Sequence, residues 1–272
     1  MIDLHCHMLP GIDDGAPDEQ SALAMARIAV GDGIAFTACT PHITPGLYDN
    51  DAGLIRRRVV DLQKRLDDEG IALRLTSGAD AYLTPGLLAA LQAGMAPTLN
   101  GGRYFLLEPP HHVAPPQFEE SVAEFLTAGY VPIITHPERL SWINTHYAMF
   151  TQLARRGVWM QITAGSLTGR FGEGAQYWGE RMLDEGLVHI LATDAHGVRR
   201  RAPLLAEGRH AAEKYVGKDE AQRLVFERPD AVLEDLAPAM VAPIPALVPE
   251  RDSRRKPGLL RRLIGGDRGQ RP

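Results

Sequence analysis

Residues 1–15 read MIDLHCHMLPGIDDG. An apolar, strand-like run ends in His5 and His7 and passes into a Gly- and Asp-rich turn that carries Asp14. Residues two apart on a strand project from the same face, so the two imidazoles point together. Asp3 shares that face and is placed to orient a ligating ring, whereas Cys6 points the other way.

The same device recurs outward along the chain. Further candidate strands are 35–40, 72–79, 104–108, 131–135, 158–163 and 188–193. His42 follows the second strand, in TPH, and Asp80 follows the third, in SGADAY. Glu108 ends the fourth, in FLLEPP, and His136 follows the fifth, in ITHPER. Asp194 and His196 follow the seventh, in ATDAH, again two apart. Between the strands lie stretches of helical periodicity at about 18–32, 51–69, 85–93, 117–129, 145–156, 174–186, 202–216 and 218–227. Several end in a glycine at the C-cap position, such as Gly33, Gly129 and Gly186. Seven βα units predict an α/β chain with a parallel sheet, closed as a seven-stranded TIM-like barrel, with an open doubly wound sheet as the alternative.

In a parallel barrel the strand C-termini share one face. Nine residues, five histidines and four carboxylates, would then meet in one bowl. Burying so many ionisable groups is costly unless cations offset the charge. A mixed imidazole and carboxylate set suits Zn, Mn, Fe or Co rather than a soft thiolate site. Nine donors exceed what one ion accepts, so two or three divalent ions are expected, with Glu108 able to bridge.

The chain of 272 residues is 44% hydrophobic and carries a formal charge of −5, which gives no push toward nucleic acid. Charge is uneven. Residues 250–272 hold eight Arg/Lys against three Asp/Glu, which leaves the remainder at −10. The expected organisation is a barrel over residues 1–237, then a Pro-rich and basic flexible tail over 238–272. That tail has a second reading, weak contact with anionic lipid through RRKPGLLRRLI. Two cysteines imply no disulfide framework. With neither a signal-like N-terminus nor a long apolar run, a cytoplasmic location is expected.

MIDLHCHMLPGIDDG, SGADAY, ITHPER, ITAGSLTGRFG and LATDAH resemble the PHP (polymerase and histidinol phosphatase) superfamily. More closely they are similar to its CpsB/YwqE-type bacterial protein-tyrosine phosphatases of capsule and exopolysaccharide operons. The resemblance runs from Met1 to about residue 236. It implies a distorted seven-stranded β/α barrel, the PHP fold, with three metals, often manganese; Fe, Zn, Co or Mg are the alternatives. It assigns His5, His7, Glu108 and Asp194 to one ion, Asp80, Glu108 and His136 to a second, and Asp14, His42 and His196 to a third. Arg139 and Arg201 match arginines that grip the phosphate. Position 80 departs from the pattern: it is Asp here, where the family usually has Glu. The implied substrate is a phosphotyrosine protein, namely a membrane-anchored bacterial tyrosine kinase of polysaccharide export.

The expected chemistry is in-line attack on phosphorus by hydroxide generated at neutral pH, with arginine stabilising the equatorial oxygens. A cysteine phosphatase is excluded, because that chemistry needs an arginine six residues after the nucleophile, and Ile12 and Pro45 stand there. Two competing readings are a small-molecule phosphatase of the histidinol-phosphate kind and a non-catalytic binding module. His111 and His112 fall in a loop beside Glu108, where they either touch substrate or stand exposed.

Overall fold

The computed structural model describes residues 1–248. Nine strand segments appear: β1 (Ile2–Cys6), β2 (Phe36–Cys39), β3 (His42–Ile43), β4 (Arg74–Ser77), β5 (Asp80–Tyr82), β6 (Tyr104–Glu108), β7 (Val131–Thr135), β8 (Trp159–Thr163) and β9 (Ile190–Ala192). The helices are α1 (Glu19–Gly31), α2 (Ala52–Asp68), α3 (Leu87–Gln92), α4 (Phe118–Thr127), α5 (Ile143–Arg155), α6 (Gly172–Asp184), α7 (Ala206–Val216), α8 (Lys218–Val225) and α9 (Glu227–Leu233).

All strand pairings are parallel, in the orders β1-β2-β4 and β3-β5-β6-β7-β8-β9. The nine segments make seven staves, because the predicted strands 35–40 and 72–79, seen as β2 and β4, each resume beyond a break as β3 and β5. Pro41 cannot donate to the ladder. Beside it, Gly78 lies so close to Thr40 and Leu99 that a Cβ would meet them at 3.0 Å and 2.7 Å. Past this joint the two staves resume as β3 and β5. The circuit returns to β1 through a parallel bridge between Cys6 and Ala195, with hydrogen bonds from His7 N to Ala195 O and from Asp194 N to His5 O, both 2.8 Å. The fold is the expected α/β, TIM-like barrel.

Strand alternation divides the core. Phe105, Leu107, Ile134, Met160 and Leu191 face outward into a large cluster with helix residues such as Met25, Ile55, Phe125 and Phe150. Tyr104, Leu106, Val131, Ile133, Trp159, Ile190 and Ala192 face inward with Ile2 and Leu4. Further along the same inward faces come Glu108, Thr135, Gln161 and Asp194, so these four staves, β6 to β9, are apolar at the start and polar at the end.

Helix α9 is absent from the periodicity reading because Pro229 interrupts it, yet a proline in a first helical turn gives up no intrahelical hydrogen bond. Residues 238–248, expected to begin the flexible tail, lie against the barrel instead. Ile244 is 1% exposed, Ala246 N donates to Gly186 O, and the buried Arg228 guanidinium donates to the carbonyls of Ala242 and Pro243. The basic segment and its lipid-contact reading lie outside the described residues. Among the described residues, no helix is long and apolar enough to cross a membrane.

Candidate metal centre

The structure brings together all nine residues picked out at the strand ends. His5 Nε2 stands 3.1 Å from His7 Nε2, 3.3 Å from Asp80 Oδ2 and 3.3 Å from Asp194 Oδ1. His7 Nε2 is 3.5 Å from the same Asp194 oxygen. His42 lies 3.3 Å from Glu108 and 3.5 Å from Asp14, and Asp14 is 3.3 Å from His196. His136 Nε2 is 3.8 Å from Asp80 Oδ2. Six are buried, His42 and His196 are partly buried, and Asp14 stands on an exposed turn.

Two members sit on unusual backbone. His136 (φ 37°) and Asp194 (φ 49°) occupy the left-handed region, which costs a non-glycine residue about 1 kcal/mol or more. The conformation ends each stave and turns the side chain into the mouth.

Within the cluster the two carboxylates of β5 and β6 have different nearest neighbours. Asp80 closes on His5, and Glu108 faces His42 and His111. The supporting residues differ from expectation. Asp3 does not hold a ring: its carboxylate accepts from Thr193 N and Oγ1 and from His5 N, tying β1 to the end of β9. The rings are oriented by two residues that sequence reading passed over. Gln161 Oε1 is 2.8 Å from His5 Nδ1, and Asp13 Oδ2 is 2.7 Å from His7 Nδ1. Asp13 also accepts from Gly15 N and His42 N. Gly15 is required there, since a Cβ would meet His7 O at 2.0 Å.

These contacts test whether cations fit. With Nδ1–H donated to Asp13 and to Gln161, the two Nε2 lone pairs face each other and two carboxylate oxygens. Among the described residues, Asp80 Oδ2, Asp194 Oδ1, His42 Nδ1, His136 Nδ1 and His196 Nε2 are buried without a hydrogen-bond partner. Separations of 3.1–3.6 Å are the edges expected between donors at about 2.0–2.2 Å from a shared ion. The residues fit divalent metals, and clusters of His, Asp and Glu here could hold them.

Charge follows the same geometry. Burial opposes a charged His5, but Asp80 and Asp194 prevail and raise it to about 9. His42 is likewise raised to about 9 against burial, chiefly by Glu108 and Asp80. Burial, with Arg139 nearby, lowers His136 to about 4. Burial works against ionised Asp80 and Asp194, yet their cationic neighbours hold both well below the usual carboxylate range. Burial also raises both cysteine thiols, which fits neither as a nucleophile.

Arg139 and Arg201 converge on Asp194 Oδ2, the latter at 2.5 Å. Both guanidinium carbons stand over the Phe171 ring, at 4.4 Å and 5.8 Å from its centroid. Phe171, in the TAGSLTGRFG segment, was not singled out from sequence. Arg139 belongs to a short 3-10 turn, Pro137–Arg139. The buried Glu138 anchors that turn by accepting from Thr163 N (2.9 Å) and Ser166 Oγ (2.8 Å).

Residues 1–234 match the profile of the capsular polysaccharide synthesis family CpsB/CapC. The chain belongs to this family. Among its CpsB/CapC relatives, the tyrosine-protein phosphatase YwqE of Bacillus subtilis (strain 168) is 35% identical over 219 residues, covering 80% of this chain and 86% of YwqE. The tyrosine-protein phosphatase CpsB of Streptococcus pneumoniae is 25% identical over 240 residues, 86% of this chain and 99% of CpsB. A crystal structure from work on these two proteins, described as unique metal-dependent tyrosine phosphatases, superposes with a TM-score of 0.84 at 33% identity. The match covers 87% of this chain and 96% of that one.

Proposed function

We propose that this CpsB/CapC member is a metal-dependent protein-tyrosine phosphatase of polysaccharide export, acting on a phosphorylated, membrane-anchored tyrosine kinase. The observation that carries the reading is the two-sided use of Asp194. One carboxylate oxygen faces His5 and His7 in the donor cluster, and the other holds Arg139 and Arg201. Cation site and anion grip are therefore one carboxylate apart.

In this reading His5, His7, Asp80 and Asp194 hold one ion, Asp14, His42 and His196 a second, and Glu108 with His136 a third. Manganese is the leading candidate, ahead of Fe, Zn, Co and Mg. When bound, such ions lower the pKa of water and polarise phosphoryl oxygens. The chain's own residues do the rest. Arg139 and Arg201 swing their planar forks from Asp194 onto phosphate oxygens, a geometry guanidinium matches well. Phe171 limits how far the forks turn and offers a face to an aryl leaving group. A tyrosine phenolate, with a pKa of about 10, leaves more readily than a serine alkoxide. Because a kinase draws phosphate from ATP, the reaction belongs in the cytoplasm.

The test is hydrolysis of a phosphotyrosine peptide and of histidinol phosphate, each before and after chelation and metal return. Peptide turnover that disappears with chelator and returns with Mn²⁺ is expected. Preference for histidinol phosphate would move the chain to the small-molecule class, and turnover of neither would favour a binding module.

A further inference from the structure

We propose that His111 is an additional metal donor, forming with Glu108 and His136 a cation site at the outer edge of the centre. This rests on the metal reading above and names a ligand for which that reading has no role.

The two oxygens of Glu108 face opposite ways. Oε2 lies 3.3 Å from His42 Nδ1, and Oε1 lies 3.6 Å from His111 Nε2. The second distance is too long for a good hydrogen bond and suits two donors on one ion. The His111 ring centroid is 4.9 Å from that of His136. His136 is 2% exposed, and its Nδ1 has no hydrogen-bond partner. Glu108, His111 and His136 each offer one ligand atom, all within 4.8 Å of one another.

The segment after β6 is also held in place. His111 O accepts from Ser141 N (3.0 Å) and Oγ (3.2 Å), and Trp142 Nε1 donates to Pro110 O (2.8 Å). The neighbouring His112 is exposed, its ring 6.3 Å from that of His111.

Asp80 supplies the need for this donor. Its Oδ2 sits closer to His5 (3.3 Å) than to His136 (3.8 Å), so it serves the inner set first. Glu108 and His136 alone would leave an outer ion short of protein donors. Two imidazoles and a carboxylate favour Zn, Co or Fe over Mg.

The experiment strips the full chain with chelator and titrates it with Co²⁺, reading visible absorption and, after desalting, cobalt per chain. The wild type is compared with His111→Ala, His112→Ala and His111→Asp, and melting curves verify folding. His111→Ala should retain one cobalt fewer, or bind its weakest cobalt at least about tenfold more weakly, no less than the loss of a supporting partner costs. His112→Ala should match the wild type, and His111→Asp, which restores a donor, should recover the ion. Equal stoichiometry and affinity in His111→Ala and wild type would overturn the proposal while leaving the metal reading intact. A wild type that retains no cobalt would overturn both.

Discussion

Asp13 shows how one carboxylate can govern a centre it does not enter. It fixes the His7 tautomer through Nδ1 and pins the backbone of Gly15 and His42. Asp13→Asn keeps the shape, but the amide can present its NH₂ to Nδ1 and turn the Nε2 lone pair into a proton. Losing such an outer partner costs about 10–100-fold in metal affinity, so that range is expected by chelator competition, and unchanged affinity would refute the role. A second expectation concerns protons. With His5 and His42 each raised to about 9, both rings are charged at pH 7 in chelated protein. A raised histidine contributes stability fully present below its usual 6.5 and lost as pH climbs through 9. Chelated protein should therefore melt lower as pH rises across that window, and metal uptake at pH 7 should release protons, measurable by calorimetry in buffers of different ionisation enthalpy. A flat melting profile with no proton release would count against the charge assignment. Sequence alone exposed the nine inner residues, because chemistry-bearing side chains at strand ends are unusual. It could not rank Asp13 over Asp14 or find Gln161, since which atom meets which ring depends on how the turn folds back.

At the scale of elements, the strands and most helices follow from periodicity, while the breaks at Pro41 and Gly78 depend on two staves lying side by side. Contacts between elements were equally invisible in sequence. Helix α7 packs through Gly208 onto the turn after β8, where a Cβ would meet Ala164 Cβ at 2.6 Å and Cα at 2.8 Å. Replacing glycine by alanine inside a helix gains up to about 1 kcal/mol of propensity. Overpacking a tight contact costs about 1–3 kcal/mol. The second effect should win: Gly208→Ala is expected to lower stability by about 1–2 kcal/mol in urea unfolding. Gly174→Ala in α6, where a Cβ meets nothing within 4 Å, should be neutral or stabilising. If both variants shifted alike, the contact would not be what selects glycine at position 208.

Across the whole molecule the barrel has two unlike ends. The mouth gathers polar groups, while the opposite end is closed by apolar side chains: Val232 belongs to the inner cluster, and Leu233 and Val241 pack against it. The strap over residues 238–248 continues that closure, with Ile244 buried and Arg228 bound to Glu220 Oε1 at 2.6 Å, Ala242 O and Pro243 O. Proline-rich composition suggested detachment, because it rules out regular helix; it does not rule out an extended strap whose carbonyls accept from a buried arginine. A chain ended after Ala237 should therefore be less stable than one ended after Val248. Exposing the Ile244 site forfeits about 1.5–3 kcal/mol, and each lost hydrogen bond to the guanidinium a further ~1.5 kcal/mol or more. A difference of about 4.5–6 kcal/mol in urea unfolding is expected. Because the strap lies at the end away from the metal donors, kcat per folded molecule and metal content should be the same in both chains. Equal stability would show that the strap closes nothing, and a selective fall in metal content would show that the two ends are coupled.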